Sequence, residues 1–460
     1  MIDLLFDWLV KSRPSGAAKP LEQKKISQDL TDTGLNSILS VLVADLSGPG
    51  GSAASDRITD GFRALEDVTV HRLNQAVSFP GSTEGYGGAD GLMAAEEQCR
   101  DWLFQLRADV LVWGAVDNVT KGLSLRFISL NPAPEGRAGA MGTQERLDIP
   151  EQYSSELESV IIASALAVGG PMRTGPKAAA IKALHERASH VRALVKSGLE
   201  SLSPIQRLSV LAGIGNIVAA DGVATGASDT LSTAVEIYSK AIQTMPAETD
   251  SLQQAALHWH LAGTLLALAS DSSTETESLE QAVESCQASV NALDENRHAR
   301  DWAQAQIRLG LATYRYAIRS GQAKLLKESV VALRKSLGVF SKAVSPGKWA
   351  EVMNQIGVIM TAMGEEINND VILQQAMKVF NETLSVRKRE TTATLWAQTT
   401  NNMGAAAFAL GKRSRDKALM EKAALAFEGA AEVYREVGQN KRVHVIEKNL
   451  NLVQRRLEVM

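Results

Sequence analysis

Cysteine is scarce in this chain, and its scarcity excludes two classes of protein. Only Cys99 and Cys286 are present among 460 residues, and they lie far apart in unrelated helical patterns. Two such residues supply neither a disulfide framework nor the four ligands of a structural zinc site. We therefore expect a protein of a reducing compartment, the cytoplasm.

Long apolar runs are also missing. No stretch reaches the roughly 18 consecutive apolar residues that a membrane-spanning helix needs. The first residues lack the basic start and the small-residue cleavage site of a secretion signal. Aromatic residues make up only 5% of a composition that is 45% apolar and 22% charged, which is typical of a soluble, helix-rich protein.

Groups that carry catalysis are sparse. The seven histidines are scattered, and His258 and His260 stand two residues apart on a predicted helix, where they point to different faces. Neither cysteine has a histidine close in sequence that could act as its base. We expect a protein that is not an enzyme and that uses no cofactor and no metal.

The strongest positive signal is an internal repeat of 47 residues. A glycine recurs at this interval, and a Trp-Ala pair recurs eight residues before three of the glycines. The glycines are Gly263, Gly310, Gly357 and Gly404, and the tryptophans are Trp302, Trp349 and Trp396. Gly215 begins a more degenerate unit 48 residues before Gly263. Periods of this length indicate stacked helical hairpins, and we predict five hairpins over 204–437 and a capping helix after them.

The repeat glycines have a predicted packing role. Glycine in the middle of a helix is unfavourable by about 1 kcal/mol relative to alanine, so it is expected where a second helix must approach closely. Gly364 and Gly411, which follow apolar stretches, are instead predicted to end helices as C-terminal caps.

The pattern Trp-Ala-x-x-x-x-x-x-Gly followed by a second helix resembles the tetratricopeptide repeat in its longer bacterial variety. Leu309-Gly310 and Ile356-Gly357 match the paired apolar and glycine positions of that family. The resemblance implies a right-handed superhelix whose first helices line a groove that receives a protein partner. The implied groove positions, three residues before and one after each glycine, and their neighbours are Gln304, Ile307, Arg308, Leu311, Asn354, Val358, Gln398 and Asn401. Exposed polar helix residues without a partner are the alternative interpretation.

Residues 36–150 carry a different pattern, in which short apolar runs alternate with helix-like stretches. The runs Ile38–Leu46, Val68–Leu73, Val110–Val116 and Leu123–Ile128 predict strands. This order predicts a small α/β sheet with parallel crossovers and an antiparallel edge hairpin. The stretch Ala108–Val116 resembles the amino-terminal domain of TolB-like proteins, which implies a non-catalytic recognition role.

A glycine-rich loop follows the first of these strands. Backbone N–H groups at a helix N-terminus can bind an anion, and the loop residues are Gly48, Gly50, Gly51 and Ser52. The Gly-Lys-Ser/Thr ending of a phosphate loop and the Gly-x-Gly-x-x-Gly spacing of a dinucleotide site are absent. A plain surface loop is the favoured interpretation, and a small anionic ligand is the alternative.

Residues 1–11 predict an amphipathic helix. Asp3, Asp7 and Lys11 form one polar stripe on an otherwise apolar segment. The apolar residues expected to dock are Ile2, Leu4, Leu5, Phe6, Trp8 and Leu9. A linker with a short helix follows at 12–35, so the segment is tethered. It can dock on its own chain, on a second copy, on a partner or on a membrane surface.

Charge is unevenly distributed. Residues 301–460 carry 24 Lys and Arg against 15 Asp and Glu, a net of +9, so the rest of the chain carries −13 of the total of −4. Basic clusters stand at predicted helix ends, at Arg387-Lys388-Arg389 and at Lys412-Arg413-Ser414-Arg415. Because no aromatic residues are interleaved with them, they do not predict nucleic-acid binding.

We therefore expect an α+β protein with a small α/β domain at 36–150, connecting helices at 151–203 and an all-α hairpin solenoid at 204–460. Its predicted function is a scaffold or adaptor that binds a protein partner. The alternatives are a self-assembling homo-oligomeric coat at the inner face of a membrane and a sensor of a small anionic ligand.

Overall fold

A computed structural model describes most of the chain from residue 37 onward. The described ranges are 37–77, 88–117, 122–131, 133–134, 136–142, 145–172, 177–197, 199–270 and 275–460. They fall into two compact units, which divide between Ala292 and Leu293, and we call these the first and the second unit. The helix predicted at 1–11 and the linker predicted at 12–35 lie outside the described residues.

The first unit begins with a five-stranded sheet in the order β2-β1-β3-β4-β5. The strands are β1 (Leu39–Asp45), β2 (Val68–Ala76), β3 (Val110–Asp117), β4 (Gly122–Ser129) and β5 (Leu147–Pro150). β1 is parallel to β2 and β3, whereas β3, β4 and β5 are antiparallel. The four predicted strands and their mixed pairing are confirmed. β5 was not predicted, because four residues are too few to show a periodic pattern.

Helices cover both faces of this sheet. They are α1 (Gly51–Arg63), α2 (Gly88–Leu106) and α3 (Ser155–Gly169), and a 3₁₀ turn at Gly170–Met172 follows α3. Successive strand residues point to opposite faces, so Val41 and Val43 join the core of α1 and α3, whereas Leu42 joins that of α2. α3 is buried along most of its length. It belongs to the range predicted as connecting helices, and it lies on the sheet.

The remaining helices form consecutive antiparallel pairs, as predicted. After α4 (Lys177–Val191) and α5 (Leu194–Ser197), the first unit contains the pairs α6 (Pro204–Thr225) with α7 (Ser228–Gln243) and α8 (Ser251–Leu268) with α9 (Glu275–Ala292). The second unit contains α10 (Ala299–Ser320) with α11 (Ala323–Ser336), α12 (Pro346–Glu366) with α13 (Asp370–Leu384) and α14 (Ala393–Ser414) with α15 (Lys417–Glu436), followed by α16 (Asn440–Leu457). The α+β class with a helical-hairpin solenoid is confirmed.

The repeat glycines lie where the two helices of a pair touch. A Cβ built on Gly357 would lie 2.5 Å from the Phe380 ring, and one on Gly215 would lie 2.6 Å from the Tyr238 ring. Such distances are shorter than carbon atoms tolerate. Glycine is therefore required by the close approach of the second helix, as predicted.

Gly364 and Gly411 do not end helices, and their prediction as caps is wrong. Both lie inside helices, α12 and α14, and a Cβ on Gly364 would lie 2.8 Å from a leucine of the partner helix. Residues with a left-handed backbone follow the ends of α10, α12 and α14 instead. They are Gly321, Asn368 and Arg415, and they keep the 47-residue interval. The prediction failed because the sequence does not distinguish two kinds of glycine after an apolar run. One kind lets a neighbouring helix approach, and the other ends a helix.

α6 is the one described helix that is long and apolar enough to cross a membrane. Its most apolar window is 72% buried inside the protein. It packs against β5, α3, α4 and α7, so its apolar surface is that of a central core helix.

Candidate functional site

Five positions on each first helix form one face, and we call them the groove columns. Counted from the repeat glycine, they are positions −6, −3, −2, +1 and +5. At 3.6 residues per turn they fall within an arc of about 100°. They include the positions that the sequence predicts to face a groove.

In α6 the groove columns bind a segment of the same chain. This segment, residues 136–142 and 145–148, precedes and enters β5, and we call it the strap. Ser209 at column −6 accepts a hydrogen bond from the Asp148 N–H at 2.8 Å and donates one to the Arg146 carbonyl at 2.9 Å. One hydroxyl thus binds the main chain of the strap through a donor and an acceptor.

The strap also lies directly on the backbone of α6. Gly139 has a φ of +72°, and a Cβ there would lie 2.3 Å from the Ala220 nitrogen and 2.5 Å from the Asn216 oxygen. Asn216 and Ala220 occupy columns +1 and +5. Column −2 is Gly213, where an added Cβ would touch Leu147 at 3.4 Å. Small residues in these columns therefore let the main chain of a non-helical segment approach the helix.

In α8 the strap is fixed by a hydrogen-bonded pair of side chains, His260 and Glu145. His260 at column −3 is 3% exposed, and its Nε2 lies 2.8 Å from Oε1 of Glu145. Burial raises the pKa of Glu145, but the hydrogen bond and charge of His260 and nearby backbone N–H groups outweigh burial and hold it below its ordinary value. The Tyr238 ring stacks on His260, and its hydroxyl donates to Asn216 Oδ1 at 2.5 Å.

In the second unit the groove columns hold amides, apolar residues and cations. The structure divides the eight predicted groove residues into two sets. Ile307, Arg308, Asn354 and Gln398 are buried, and Gln304, Leu311, Val358 and Asn401 are partly exposed. The fold places all eight on the predicted first helices α10, α12 and α14, and in each helix they share the face of the groove columns.

Three asparagines connect α12 and α14. Asn402 Nδ2 donates to Asn354 Oδ1 at 3.2 Å, and Asn401 Nδ2 donates to Asn402 Oδ1 at 3.3 Å. Within the described part of the chain, Asn354 Nδ2 and Asn401 Oδ1 are buried without a hydrogen-bond partner.

Arg387 follows the end of α13 and is 2% exposed. Its Nη1 donates to Gln398 Oε1 at 3.1 Å and to Thr399 Oγ1 at 2.9 Å. Burial lowers its pKa to about 10, and the charges of Glu351 and Tyr434 act in the opposite direction. The repeat register contains a signal for the burial of Arg387. At the same position of the other repeats, 47 residues apart, stand Leu293, Phe340 and Tyr434, which are apolar or aromatic.

The repeat tryptophans have structural contacts. Lys342 Nζ lies 5.2 Å from the Trp349 ring centre, and the Arg389 guanidinium lies 5.6 Å from that of Trp396. Both pairs keep the 47-residue interval. Cation–π contacts at exposed sites contribute about 0.5–1 kcal/mol each, so the tryptophans support packing of the repeat.

The glycine-rich loop crosses the carboxyl end of β3. Gly48 and Gly50 have φ values of +95° and +81°, and a Cβ on Gly51 would lie 1.9 Å from the Leu46 oxygen. Backbone conformation and packing thus account for these glycines without a ligand. Ser52 is exposed, and the buried Arg72 beside it binds the carboxylates of Asp45 and Asp56. These two acidic groups would repel an anion, and the anion site stays a prediction.

Among the described residues, no group of three or more His, Cys, Asp or Glu is placed to hold a metal ion.

No family model matches the chain, and no curated protein matches it.

A solved structure described as a circular tandem repeat protein with novel repeat topology and enhanced subunit contact surfaces is similar at 14% identity. The match covers 66% of this chain and 84% of that chain, with a TM-score of 0.30. At that TM-score the similarity carries no argument about function.

Proposed function

We propose that this protein is a non-enzymatic interaction scaffold that binds an extended segment of a partner protein along the groove columns of the second unit. The observation that carries the proposal is the strap. In α6 and α8 the same columns bind a non-helical segment through main-chain hydrogen bonds and one hydrogen bond between His260 and Glu145. The repeat therefore has a binding mode that its own chain demonstrates.

The side chains of the second unit support the same mode. Gln304 and Asn401 are partly exposed in columns −6 and −3, and amide side chains can bind a peptide main chain through both a donor and an acceptor. The tetratricopeptide and TolB-like resemblances, which rest on sequence motifs, imply the same recognition role. The proposed setting is the cytoplasm, including the inner face of a membrane.

Peptide selection on the full chain tests this proposal. Peptides would be selected from a random display library, and their dissociation constants would be measured by fluorescence anisotropy. We expect Gln304→Ala combined with Asn401→Ala to weaken binding about tenfold or more, because each lost hydrogen bond contributes about 1 kcal/mol and leaves a peptide group unpaired.

Asn381→Ala is the matched control. Asn381 is exposed on α13, outside the groove columns, so its removal should leave the dissociation constants unchanged. Equal affinity of the wild type, the double variant and the control would contradict the proposal, as would a selection that enriches no peptide.

The charge division favours a second candidate function, head-to-tail self-assembly into a coat. Residues 301–460 carry a net charge of +9, and the rest of the chain carries −13. Contacts between exposed charges weaken when the screening length falls from about 10 Å at 0.1 M salt to about 3 Å at 1 M. Sedimentation velocity at these two salt concentrations tests assembly, and a monomer at both removes this candidate.

A further inference from the structure

α16 occupies the place of a first helix in the second unit. It packs against α15 and α14, as α14 packs against α13 and α12. Its residues lie one repeat interval after those of α14, so the groove columns continue on it as Val445, Lys448, Asn449, Leu452 and Arg456. Val445 and Asn449 are partly exposed, and the other three are exposed. The face formed by the groove columns of the second unit therefore extends onto α16.

Three of these side chains form a stripe with a cation on either side of an apolar residue. Lys448, Leu452 and Arg456 are four residues apart, which places them one above the other on the helix. Leu452 is 48% exposed. Among the described residues no ion pair involves Lys448 or Arg456, and the adjacent Glu447 is bound to Arg435 at 2.7 Å. The stripe thus offers two cations and an apolar surface to a bound ligand.

The strap shows how a carboxylate reaches this position of the repeat. It runs antiparallel to α6, because Gly139 lies against the later part of the helix and Asp148 against the earlier part. Glu145 extends to column −3 of the next first helix, where its Oε1 lies 2.8 Å from His260 Nε2. A segment bound along one first helix can therefore place a carboxylate at column −3 of the following one.

α14 and α16 repeat this arrangement. Columns +1 and +5 of α14 hold Ala405 and Ala409, which are small like Ala220 at column +5 of α6. Column −3 of the next first helix is Lys448, whose ammonium group donates hydrogen bonds and binds carboxylates. The repeat register therefore places a cation where the first unit has the partner of Glu145.

From these features we propose that the partner segment of the second unit is an acidic peptide that lies along α14 and places a carboxylate against Lys448 of α16. A second acidic residue lies towards Arg456, and an apolar side chain between the two covers Leu452. The inference rests on the proposed function, since it names the chemistry of the segment that the groove columns bind. Complementary charge supplies the specificity, while amides such as Gln304 and Asn401 bind the main chain, which all peptides share.

Peptides with and without carboxylates test this inference on the full chain. Peptides selected from the random display library are resynthesised with each Asp or Glu replaced by Asn or Gln, and dissociation constants are measured by fluorescence anisotropy at about 0.1 M salt. We expect the selected peptides to be richer in Asp and Glu than the library. Removal of the carboxylate that meets Lys448 should weaken binding about fivefold, the upper end for an exposed ion pair.

Lys448→Gln identifies the cation. This variant lacks the ammonium group, so the carboxylate and amide forms of a peptide should bind it equally. Lys422→Gln is the matched control, because Lys422 is exposed on α15 outside the groove columns, and it should keep the difference between the two forms. At about 1 M salt the difference should shrink in the wild type, since the screening length falls to about 3 Å. Thermal unfolding verifies that both variants are folded.

Three outcomes overturn the inference. They are selected peptides that are not enriched in Asp and Glu, equal affinity of the wild type for the carboxylate and amide forms, and a difference that persists in Lys448→Gln. Sedimentation with phosphatidylglycerol vesicles that requires Lys448, combined with equal affinity for both peptide forms, would assign the stripe to a membrane surface instead. Peptides that still depend on Gln304 and Asn401 would leave the proposed function standing, whereas a selection that enriches no peptide removes both.

Discussion

The helix α6 of the first unit and the first helices of the second unit follow the same repeat register, yet their groove columns hold different side chains. In α6 the columns contain small residues such as Ser209, Gly213 and Ala220, and the strap lies against the helix backbone. In the second unit the equivalent columns contain larger amides, apolar residues and cations, for example Gln304 and Leu311. The comparison indicates that the 47-residue period sets how helices pair, while the content of the columns sets what lies on them.

Buried charge differs between the units as well. In the first unit His260 is bound by Glu145, which is 115 residues away in sequence. In the second unit Arg387 is bound by Gln398 and Thr399, at the start of the next helix. The first arrangement joins distant segments of the chain, and the second satisfies a cation within neighbouring helices at a position that other repeats fill with an apolar or aromatic residue.

Removing the partner of His260 should destabilise the first unit. Glu145→Ala leaves the buried His260 ring without its hydrogen-bond partner, which costs about 3 kcal/mol, the upper end of the range for an unsatisfied buried polar group. Urea unfolding of the first unit at neutral pH measures the loss. Glu284→Ala, at an exposed position of α9, is the control and should change stability by less than about 0.5 kcal/mol.

The pH dependence of this effect has a definite sign. The pKa of Glu145 is lower in the folded protein than its ordinary value, so the stabilisation is present above about pH 4.3. It is lost as the pH falls through the folded pKa, where the carboxylate takes up a proton. The difference between wild type and Glu145→Ala should therefore shrink in acid, and a constant difference would contradict the stabilisation of the Glu145 carboxylate in the folded protein.

The contact between the strap and α6 predicts a second loss, of comparable size. Gly139→Ala combines left-handed strain of about 1–2 kcal/mol with overpacking of about 1–3 kcal/mol against the α6 backbone. Gly226→Ala is the strain-matched control, because its φ is +70° with open space around it, and it should cost only about 1–2 kcal/mol. Urea unfolding of both variants compares them. Equal losses would show that the strap does not press on α6.

The hairpins could be predicted from the sequence because repetition averages out local noise. Glycine, tryptophan and leucine each recur in fixed register, so no single residue decides the assignment. The same register contains a signal for two residues whose contacts the sequence analysis missed. His260 stands at column −3 of α8, and Arg387 stands at a repeat position that otherwise holds Leu293, Phe340 and Tyr434.

The strap could not be predicted, for physical reasons. Its apolar residues follow neither the helical period nor the alternation of a strand, so no pattern in the sequence marks it. Its position depends on contacts far apart in sequence, such as that of Gly139 with Asn216 and Ala220. The left-handed φ of Gly139 and the close approach that requires it exist only in the folded chain. The division of the predicted groove residues into buried and partly exposed sets likewise depends on neighbouring helices, which the pattern of one helix does not contain.

The smallest expected effect concerns Arg387, and it should have the opposite sign. Arg387→Met places a flexible apolar side chain where other repeats have leucine, phenylalanine or tyrosine. Replacing a buried charge by a well-packed apolar residue is often neutral or stabilising. We expect urea unfolding of the second unit to show a gain of about 1 kcal/mol, after the loss of the hydrogen bonds to Gln398 and Thr399 is included.

Arg389→Met provides the matched control two residues away. The Arg389 side chain is 40% exposed and pairs with Glu432 at 3.0 Å, and such surface pairs contribute less than about 1 kcal/mol. This control should therefore lower stability slightly, while Arg387→Met raises it. A loss of more than about 2 kcal/mol in Arg387→Met would show that the guanidinium stabilises the second unit as Glu145 stabilises the first, and the difference in buried charge between the units would no longer hold.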